Sequence, residues 1–349
     1  MITISAEQLT KFIERIFVAA GASAENAQTV AHSLVWANLT GHDSHGVVRT
    51  VQYLEAIDTE NIFPTAQPAV ASESGATAQI DGNSTFGQVV AKFAMQHAIE
   101  LGKTHGIAGV TLFNSHHIGR VGEWVEMAAE QNLAAIAFCN VASRRGRVAP
   151  HGGMESLLGT NPFAAAVPIE GREPFLLDYA TSVVAEGKVR VARIAGKSIP
   201  EGWILNSNGE PSTDPHDLYT GGVLKSMGAY KGFGLGLLVE LLGGVLSATG
   251  WPSLEEGQRM RNGALFIVLD IDRFRPIQAF LTDSATLFDK TKAIKPTPDN
   301  DEVLVPGEPE QHTYAERITN GVPLHDAAWQ QLVDAAEKLA VPLPNHLKT

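Results

Sequence analysis

The sequence predicts an α/β fold preceded by a helical unit, and three observations carry that expectation. Over roughly the first sixty residues, apolar side chains recur with helical period. From Gln79 onward, short apolar runs alternate with helical stripes, the texture of a largely buried sheet covered by helices. The chain has 349 residues, 44% hydrophobic and 18% charged, enough for two or three domains or one domain with a large insertion.

Ser5-Ala6-Glu7-Gln8 reads as a capping box, followed by Leu9, Phe12, Ile13, Ile16 and Phe17 on one face until Gly21 stops the helix. A second helix starts near Ser23, carries Ala27, Val30, Ala31, Leu34 and Val35 on one stripe, and ends at Gly41. A third opens within residues 41–53, and the helical unit closes near Pro64. Ile80-Asp81-Gly82-Asn83-Ser84 is a strand and turn, and residues 88–101 form a helix with Val89, Phe93, Ala94, Ala98 and Leu101 inward. Strand 107–113, helix 121–131 and strand 133–138 follow, then strands 163–168 and 174–178 around a turn at Glu170-Gly171-Arg172. Residues 181–195 read as helix, 204–214 as a turn-rich loop, 230–246 as a long apolar helix and 264–271 as a strand. A Pro/Asp-rich connector at 295–301 leads to two short helices, 310–319 and 324–339, expected to pack on the N-terminal unit. The domains expected are therefore a helical one, 1–75 joined by 310–349, and an α/β one, 76–309.

The formal net charge is −12 and no long Lys/Arg tract exists, which argues against a nucleic-acid partner. Arg144-Arg145-Gly146-Arg147 is the one local basic cluster, suited at most to a phosphate or a dicarboxylate. The single Cys139 lies in an apolar run and reads as a buried structural thiol of a reducing, cytoplasmic setting. The N-terminus shows no signal-peptide pattern. The longest apolar stretch, 232–248, is broken by Glu240 and several glycines, so a buried helix is expected there and no membrane span.

The chemistry concentrates in residues 41–53. If the run after Ser44 is helical, His45, Arg49 and Tyr53 fall at i, i+4 and i+8 and share one face. Such a face offers a proton, a forked cation and a phenol to a small carboxylate. Spacing alone describes a solvated helix face equally well. His42, His45, His116, His117 and His151 all lie near glycines. A metal-dependent hydrolase using His42, Asp43, His45 and His117 is one alternative, but the spacings match no zinc pattern with two ligands on one helix face, so no metal is expected. Gly152-Gly153 and Gly159-Thr160-Asn161-Pro162 can present backbone N–H groups to a phosphate or carbonyl, or serve as plain turns. No G-x-G-x-x-G opens a helix after a strand. Gly232, Gly234 and Gly236 come nearest, inside an apolar helix where they suit close packing.

Several segments together resemble one family. They are Asp43-Ser44-His45-Gly46 with Arg49, Asn114-Ser115-His116-His117-Ile118-Gly119, Ala149-Pro150-His151-Gly152-Gly153, and Leu158-Gly159-Thr160-Asn161-Pro162. Further on come Asp178-Tyr179-Ala180-Thr181-Ser182, Gly187-Lys188-Val189, Ile199-Pro200-Glu201-Gly202-Trp203 with Ser212-Thr213-Asp214-Pro215, Tyr230-Lys231-Gly232-Phe233-Gly234, and Pro306-Gly307-Glu308. In this order, over nearly the whole chain, they resemble the malate/L-lactate dehydrogenase family of NAD(P)-dependent oxidoreductases. That family includes ureidoglycolate, sulfolactate, diketogulonate and hydroxycarboxylate enzymes and cyclic imino-acid reductases, and is distinct from the Rossmann-type dehydrogenases. The arginines between Asn140 and Ala149 depart from the shorter link common in the family and resemble the subgroup acting on aryl-lactates.

The resemblance implies a homodimer, a central mixed sheet flanked by helices with a nucleotide-binding topology other than the Rossmann one, and a helical domain built from both chain ends. It implies that His45 gives the proton and borders the cofactor, that Arg49 and Tyr53 hold the substrate carboxylate, and that His117 lines the same cleft. It places Asp178, Tyr179, Ala180, Thr181, Ser182, Lys231, Gly307 and Glu308 on NAD or NADP, with Thr160 and Asn161 near the nicotinamide or substrate. The function expected is hydride transfer between a nicotinamide cofactor and a small 2-hydroxy or 2-oxo carboxylate such as malate or lactate; the runner-up is reduction of a cyclic imine such as piperideine-2-carboxylate. The chemistry agrees with the residue types. Reducing a 2-oxo acid builds negative charge on oxygen that an imidazolium stabilises and quenches, while arginine grips the carboxylate in bidentate fashion.

Overall fold

The computed structural model describes residues 2–143, 145–194, 196–252 and 259–344. The chain opens with β1 (Ile2–Ile4), α1 (Ala6–Ala19) and α2 (Ala24–Leu39). The Ser5 and Ser23 side chains accept hydrogen bonds from the Gln8 and Asn26 N–H groups, so the expected Ser5 cap forms and Ser23 caps the second helix in the same way. Residues 41–53 depart from expectation. They form two single 3₁₀ turns, Asp43–His45 and Val47–Arg49, separated by extended Gly46, and only then α3 (Thr50–Asp58). The reason is Asn38: its Oδ1 accepts the Val47 N–H at 2.8 Å, and a Cβ on Gly46 would lie 2.2 Å from that same oxygen. A side chain thus takes the donor that a continuous helix would have used.

The sheet region comprises β2 (Ala69–Ser74), β3 (Thr77–Asp81), α4 (Gly87–His105), β4 (Ile107–Ser115), α5 (Val121–Ala129), β5 (Leu133–Ala142), β6 (Pro162–Val167), β7 (Phe175–Ala180) and α6 (Glu186–Ile194). The α6 helix is shorter than the expected 181–195, and Ala195 lies outside the described residues. Where a turn-rich loop was expected, β8 (Ile204–Leu205), β9 (Pro211–Ser212) and β10 (Val223–Leu224) form a small antiparallel sheet. Next, α7 (Tyr230–Val239) runs into a π-helical segment, Glu240–Val245. β11 (Arg261–Asp270), α8 (Ile277–Lys292), α9 (Glu308–Asn320), β12 (Val322–Leu324) and α10 (Asp326–Lys338) complete the chain.

Seven strands form the main sheet in the order β2-β3-β4-β11-β5-β6-β7. Only β3 and β4 run parallel, so the sheet is mixed. Alternate residues bury opposite faces. Ala264, Phe266 and Val268 pack under α4 and α5, while Leu265 and Ile267 meet Phe138 and Val239 on the side of α7. A second core forms where the chain ends meet. There β1 pairs antiparallel with β12, and Phe12 of α1 lies 5.7 Å, ring to ring, from Trp329 of α10. The stretch 232–248 is not buried throughout: Leu238, Leu241, Val245 and Leu246 are 42–55% exposed in the single chain. Among the described residues, no helix is long and apolar enough to cross a membrane.

A buried polar spine ties the π-helical segment to the sheet. Glu240 accepts from Asn140 Nδ2 (2.8 Å) and Asn161 Nδ2 (2.6 Å). Asn140 Oδ1 in turn accepts the Gly263 N–H (3.0 Å), and Asn262 Nδ2 donates to the Asn140 carbonyl (2.7 Å). Burial raises the Glu240 carboxyl above its usual range, and the two amides pull it back. Glu240→Leu is expected to lower stability by about 1–3 kcal/mol for each amide donor left unpaired, read as a lower urea midpoint. An unchanged midpoint would show that the carboxylate is not holding the spine together.

Candidate active site

His45 ends the first 3₁₀ turn, with its Nδ1 3.0 Å from Ser44 Oγ. Its ring stacks on His117, centroids 5.5 Å apart and 16° from parallel. His117 sits in the loop after β4, and its Nδ1 lies 2.7 Å from Tyr53 Oη. Gln88 Nε2 donates to the same phenol oxygen at 2.8 Å. The Tyr53 hydroxyl is thus shared between His117 Nδ1 and the Gln88 carboxamide. The loop is pressed onto the first turn of α4: a Cβ on Gly87 would lie 2.2 Å from the His117 carbonyl oxygen. Arg49 is aimed by its own neighbours, Nε donating to the Ser44 carbonyl (2.6 Å) and Nη1 to Gln52 Oε1 (2.7 Å).

The three residues of the expected stripe therefore gather, but not on one helix face. Tyr53 is fully buried in the helical core, and its hydroxyl has two protein partners. It stands behind His117, which occupies the place beside His45. His42 and Asp43 are clamped from outside: His42 Nε2 lies 3.3 Å from Glu310 Oε1, and Asp43 takes Arg317 of α9 at 2.6 and 3.0 Å and Asn38 Nδ2 at 2.6 Å. Among the described residues, no group of three or more His, Cys, Asp or Glu side chains is arranged to hold a metal ion. The arrangement thus gives the hydrolase alternative no ligand set.

Burial sets the charge state. It pushes His45 and His116 down to about 3 and His117 well below its ordinary range; Arg49 adds to the depression at each ring. Burial raises Tyr53 to about 12, against the pull of Arg49. At neutral pH the cleft holds neutral imidazoles, a neutral phenol and a cation. A carboxylate docking on Arg49 relieves the repulsion felt by His45 and favours its protonation.

The residues expected on the cofactor divide into two groups. The Thr181 N–H donates to the Thr160 carbonyl (2.9 Å), and the Met227 N–H to the Thr181 carbonyl (2.9 Å). Thr160, Asn161, Thr181 and Ser182 thus meet the turn that leads to exposed Lys231 at the start of α7. Asn161 has φ +41°; its Nδ2 is held by Glu240 and the Gly236 carbonyl, while its buried Oδ1 has no partner among the described residues. Gly307 and Glu308 lie at the other end of β7, where the Leu176 N–H donates to the Pro306 carbonyl (3.3 Å). The Glu308 carboxylate is engaged by the Val305 N–H and Lys292. Between the groups, Tyr179 rests against Phe163, Ala180 pairs with Pro162, and Asp178 Oδ2 accepts the Gly122 N–H at 2.7 Å. Arg145 and Arg147 are exposed; Arg144 lies outside the described residues.

Sequence reading missed Asn38, Gln88 and Arg120. All three are buried, and Arg120 pairs with Glu126 at 3.1 Å and lies 3.9 Å from Asp178. The signal open to it was a polar residue at a position whose neighbours are apolar or glycine.

The family model for malate/L-lactate dehydrogenase matches residues 4–333. A malate dehydrogenase of Pyrococcus abyssi is 35% identical over 350 residues, covering 97% of this chain and 96% of that protein. A solved structure of a putative malate/lactate dehydrogenase from E. coli superposes with TM-score 0.91 at 36% identity, covering 97% and 96% of the two chains. The delta1-piperideine-2-carboxylate reductase of Pseudomonas syringae pvar. tomato superposes with TM-score 0.85 at 30% identity, covering 96% and 99%. The chain belongs to the malate/L-lactate dehydrogenase family. Its relatives include proteins named malate, L-lactate and L-sulfolactate dehydrogenase, and the chain is an oxidoreductase.

The depressed histidines carry a pH signature. Unfolded imidazoles take protons below about 6.5, and the folded His116 only near 3, so its contribution to stability is lost as the pH falls through that window. Glu123, raised to about 7 by burial, works in the opposite sense over the upper part of the window. The difference between wild type and His116→Phe isolates the histidine: urea unfolding should lose less stability in the variant as the pH falls from about 6.5 to about 4. Parallel curves would refute the buried neutral imidazole.

Proposed function

We propose that this enzyme transfers a hydride between NAD or NADP and a small 2-hydroxy acid or its 2-oxo acid, malate, lactate or a related hydroxycarboxylate. The observation that carries the reading is His45 stacked on His117 beside a directed Arg49, with the imidazoles neutral and the guanidinium charged. Arg49 takes the substrate carboxylate and His45 exchanges the proton with the substrate oxygen. His117, held in place by Tyr53, lines the same side of the substrate oxygen. Tyr53 acts through His117, because its hydroxyl has no free direction toward a substrate.

Thr160, Asn161, Thr181, Ser182 and Lys231 would hold one end of the cofactor, and Gly307 and Glu308 the other, with Asp178, Tyr179 and Ala180 along β7 between them. The unpartnered Asn161 Oδ1 fits a carboxamide donor there. The nicotinamide, when bound, supplies or takes up the hydride. The two hydrophobic cores support division into a helical domain, 1–75 with 310–349, and an α/β domain, 76–309. The uncovered Leu238, Leu241, Val245 and Leu246 support a homodimer, and the lone buried thiol of Cys139 suits the cytoplasm. The likeness to the piperideine-2-carboxylate reductase favours a second reading, reduction of a cyclic imino acid, in which His45 protonates nitrogen in place of oxygen.

Loss of NADH or NADPH absorbance with a panel of 2-oxo acids and cyclic imines tests both. His45→Ala should lower kcat by roughly 10²- to 10⁴-fold. Arg49→Lys should act mainly by raising KM, since a fork becomes a point charge. Wild-type kinetics in both variants would remove this cleft from the reaction.

A further inference from the structure

The cleft has a second arginine that the reading above leaves unused. Helix α6 closes over the His45 turn: a Cβ on Gly187 would lie 3.5 Å from Ser44 Cβ. Val189 is fully buried and roots the helix among Val148, Leu158 and Ile204. Two charged neighbours on α6 are committed elsewhere. Tyr219 Oη donates to Glu186 Oε1 at 2.5 Å, and the Arg193 guanidinium sits 3.8 Å from the centre of the Tyr219 ring. Arg190 follows Gly187 by one turn and therefore shares its face toward Ser44. It is half-buried and lies near enough to Arg49 to weaken that residue's hold on its proton, behind the larger effect of burial. Among the described residues, nothing hydrogen-bonds or ion-pairs with the Arg190 side chain.

A buried site does not keep two neighbouring guanidiniums without an anion to share them. Glu186 offsets one. Once His45 carries a proton, His45, Arg49 and Arg190 stand against Glu186, an excess of two positive charges among these four groups. One carboxylate on Arg49 neutralises half of that excess, and a substrate with two acidic groups neutralises all of it. We propose that Arg190 holds the second acidic group of a dicarboxylic substrate, so that the enzyme prefers a 2-hydroxy dicarboxylate such as malate to a monocarboxylate such as lactate. The proposal rests on the roles given above to His45 and Arg49, and it adds a residue that chooses among their substrates.

The test compares kcat/KM for oxaloacetate and for pyruvate in wild type, Arg190→Gln and Arg190→Lys. The ratio of the two constants is independent of the amount of folded enzyme, so partial misfolding of a variant does not blur it. Wild type should favour oxaloacetate. Arg190→Gln should lower the oxaloacetate-to-pyruvate ratio roughly 10- to 100-fold, mostly through KM for oxaloacetate, the scale of a charged contact to a carboxylate. Arg190→Lys should recover part of it. A ratio unmoved in Arg190→Gln, or a wild type that favours pyruvate, overturns the role of Arg190 and leaves the dehydrogenase reading standing. A wild type that reduces neither acid, nor any other 2-oxo acid, with either cofactor overturns both.

Discussion

The carboxamide of Asn38 fixes the path of the chain through the cleft. Its Oδ1 takes the Val47 N–H and its Nδ2 gives a hydrogen bond to Asp43 Oδ1, so one buried side chain spans the His45 turn from both ends. Arg317 locks the other side, binding the Asp43 carboxylate and the Asn38 backbone carbonyl together. Arg317 belongs to α9, which precedes β12, and β12 is held beside β1 by strand pairing. The His45 turn is thus pinned between α2 and an arginine 274 residues beyond Asp43, which only the meeting of the chain ends makes possible. Gly46 has to be glycine because of this packing: its φ is ordinary, but no Cβ fits against Asn38.

Around this pinned turn the protein tolerates polar groups that an ordinary core would not. Gln88 Oε1, His116 Nδ1, Thr85 Oγ1 and Thr50 Oγ1 are buried without hydrogen-bond partners among the described residues, and Gln88 and His116 lie directly against Tyr53. Each such group costs about 1–3 kcal/mol of stability. Gln88 and His116 thus place polar atoms directly around the buried Tyr53 and His117 pair. In the proposed reading Arg49 is a charge already placed for an anion, so little would have to reorganise when one binds.

Local rules made part of this legible. Ser5 and Ser23 cap their helices because capping involves residues three apart, and the strands from β3 to β7 were visible from short apolar runs. The stripe of His45, Arg49 and Tyr53 named residues that do converge, but its helical geometry failed because the Asn38–Val47 bond that breaks the helix joins separate elements. Tyr53 was read as facing substrate; periodicity cannot tell the wall of a cleft from the core behind it. Helix α8 left no trace, since none of its residues is buried and the sequence had no core for it to signal. The central place of β11 depends on pairing across more than a hundred residues, which no local pattern encodes. Glu240 was seen as an interruption of an apolar helix, when it is the acceptor that joins that helix to the sheet.

The two cores meet at the histidine loop, and this explains why the loop follows β4. The Ile118 N–H donates to Asn262 Oδ1 on β11, and Ile118 packs in the sheet core. One residue earlier, His117 Nδ1 binds Tyr53, which belongs to the helical core. A shift of one core against the other by even half a hydrogen-bond length would break one of these two bonds. Most of the residues proposed for the cofactor lie on or next to β6 and β7, while His45 and Arg49 ride on the helical unit. On the reading proposed above, hydride and proton partners would be carried by different cores, and the His117–Ile118 loop is one of the places that join them. In that reading the loop would act as a ruler between the two halves of the chemistry as well as a wall of the site.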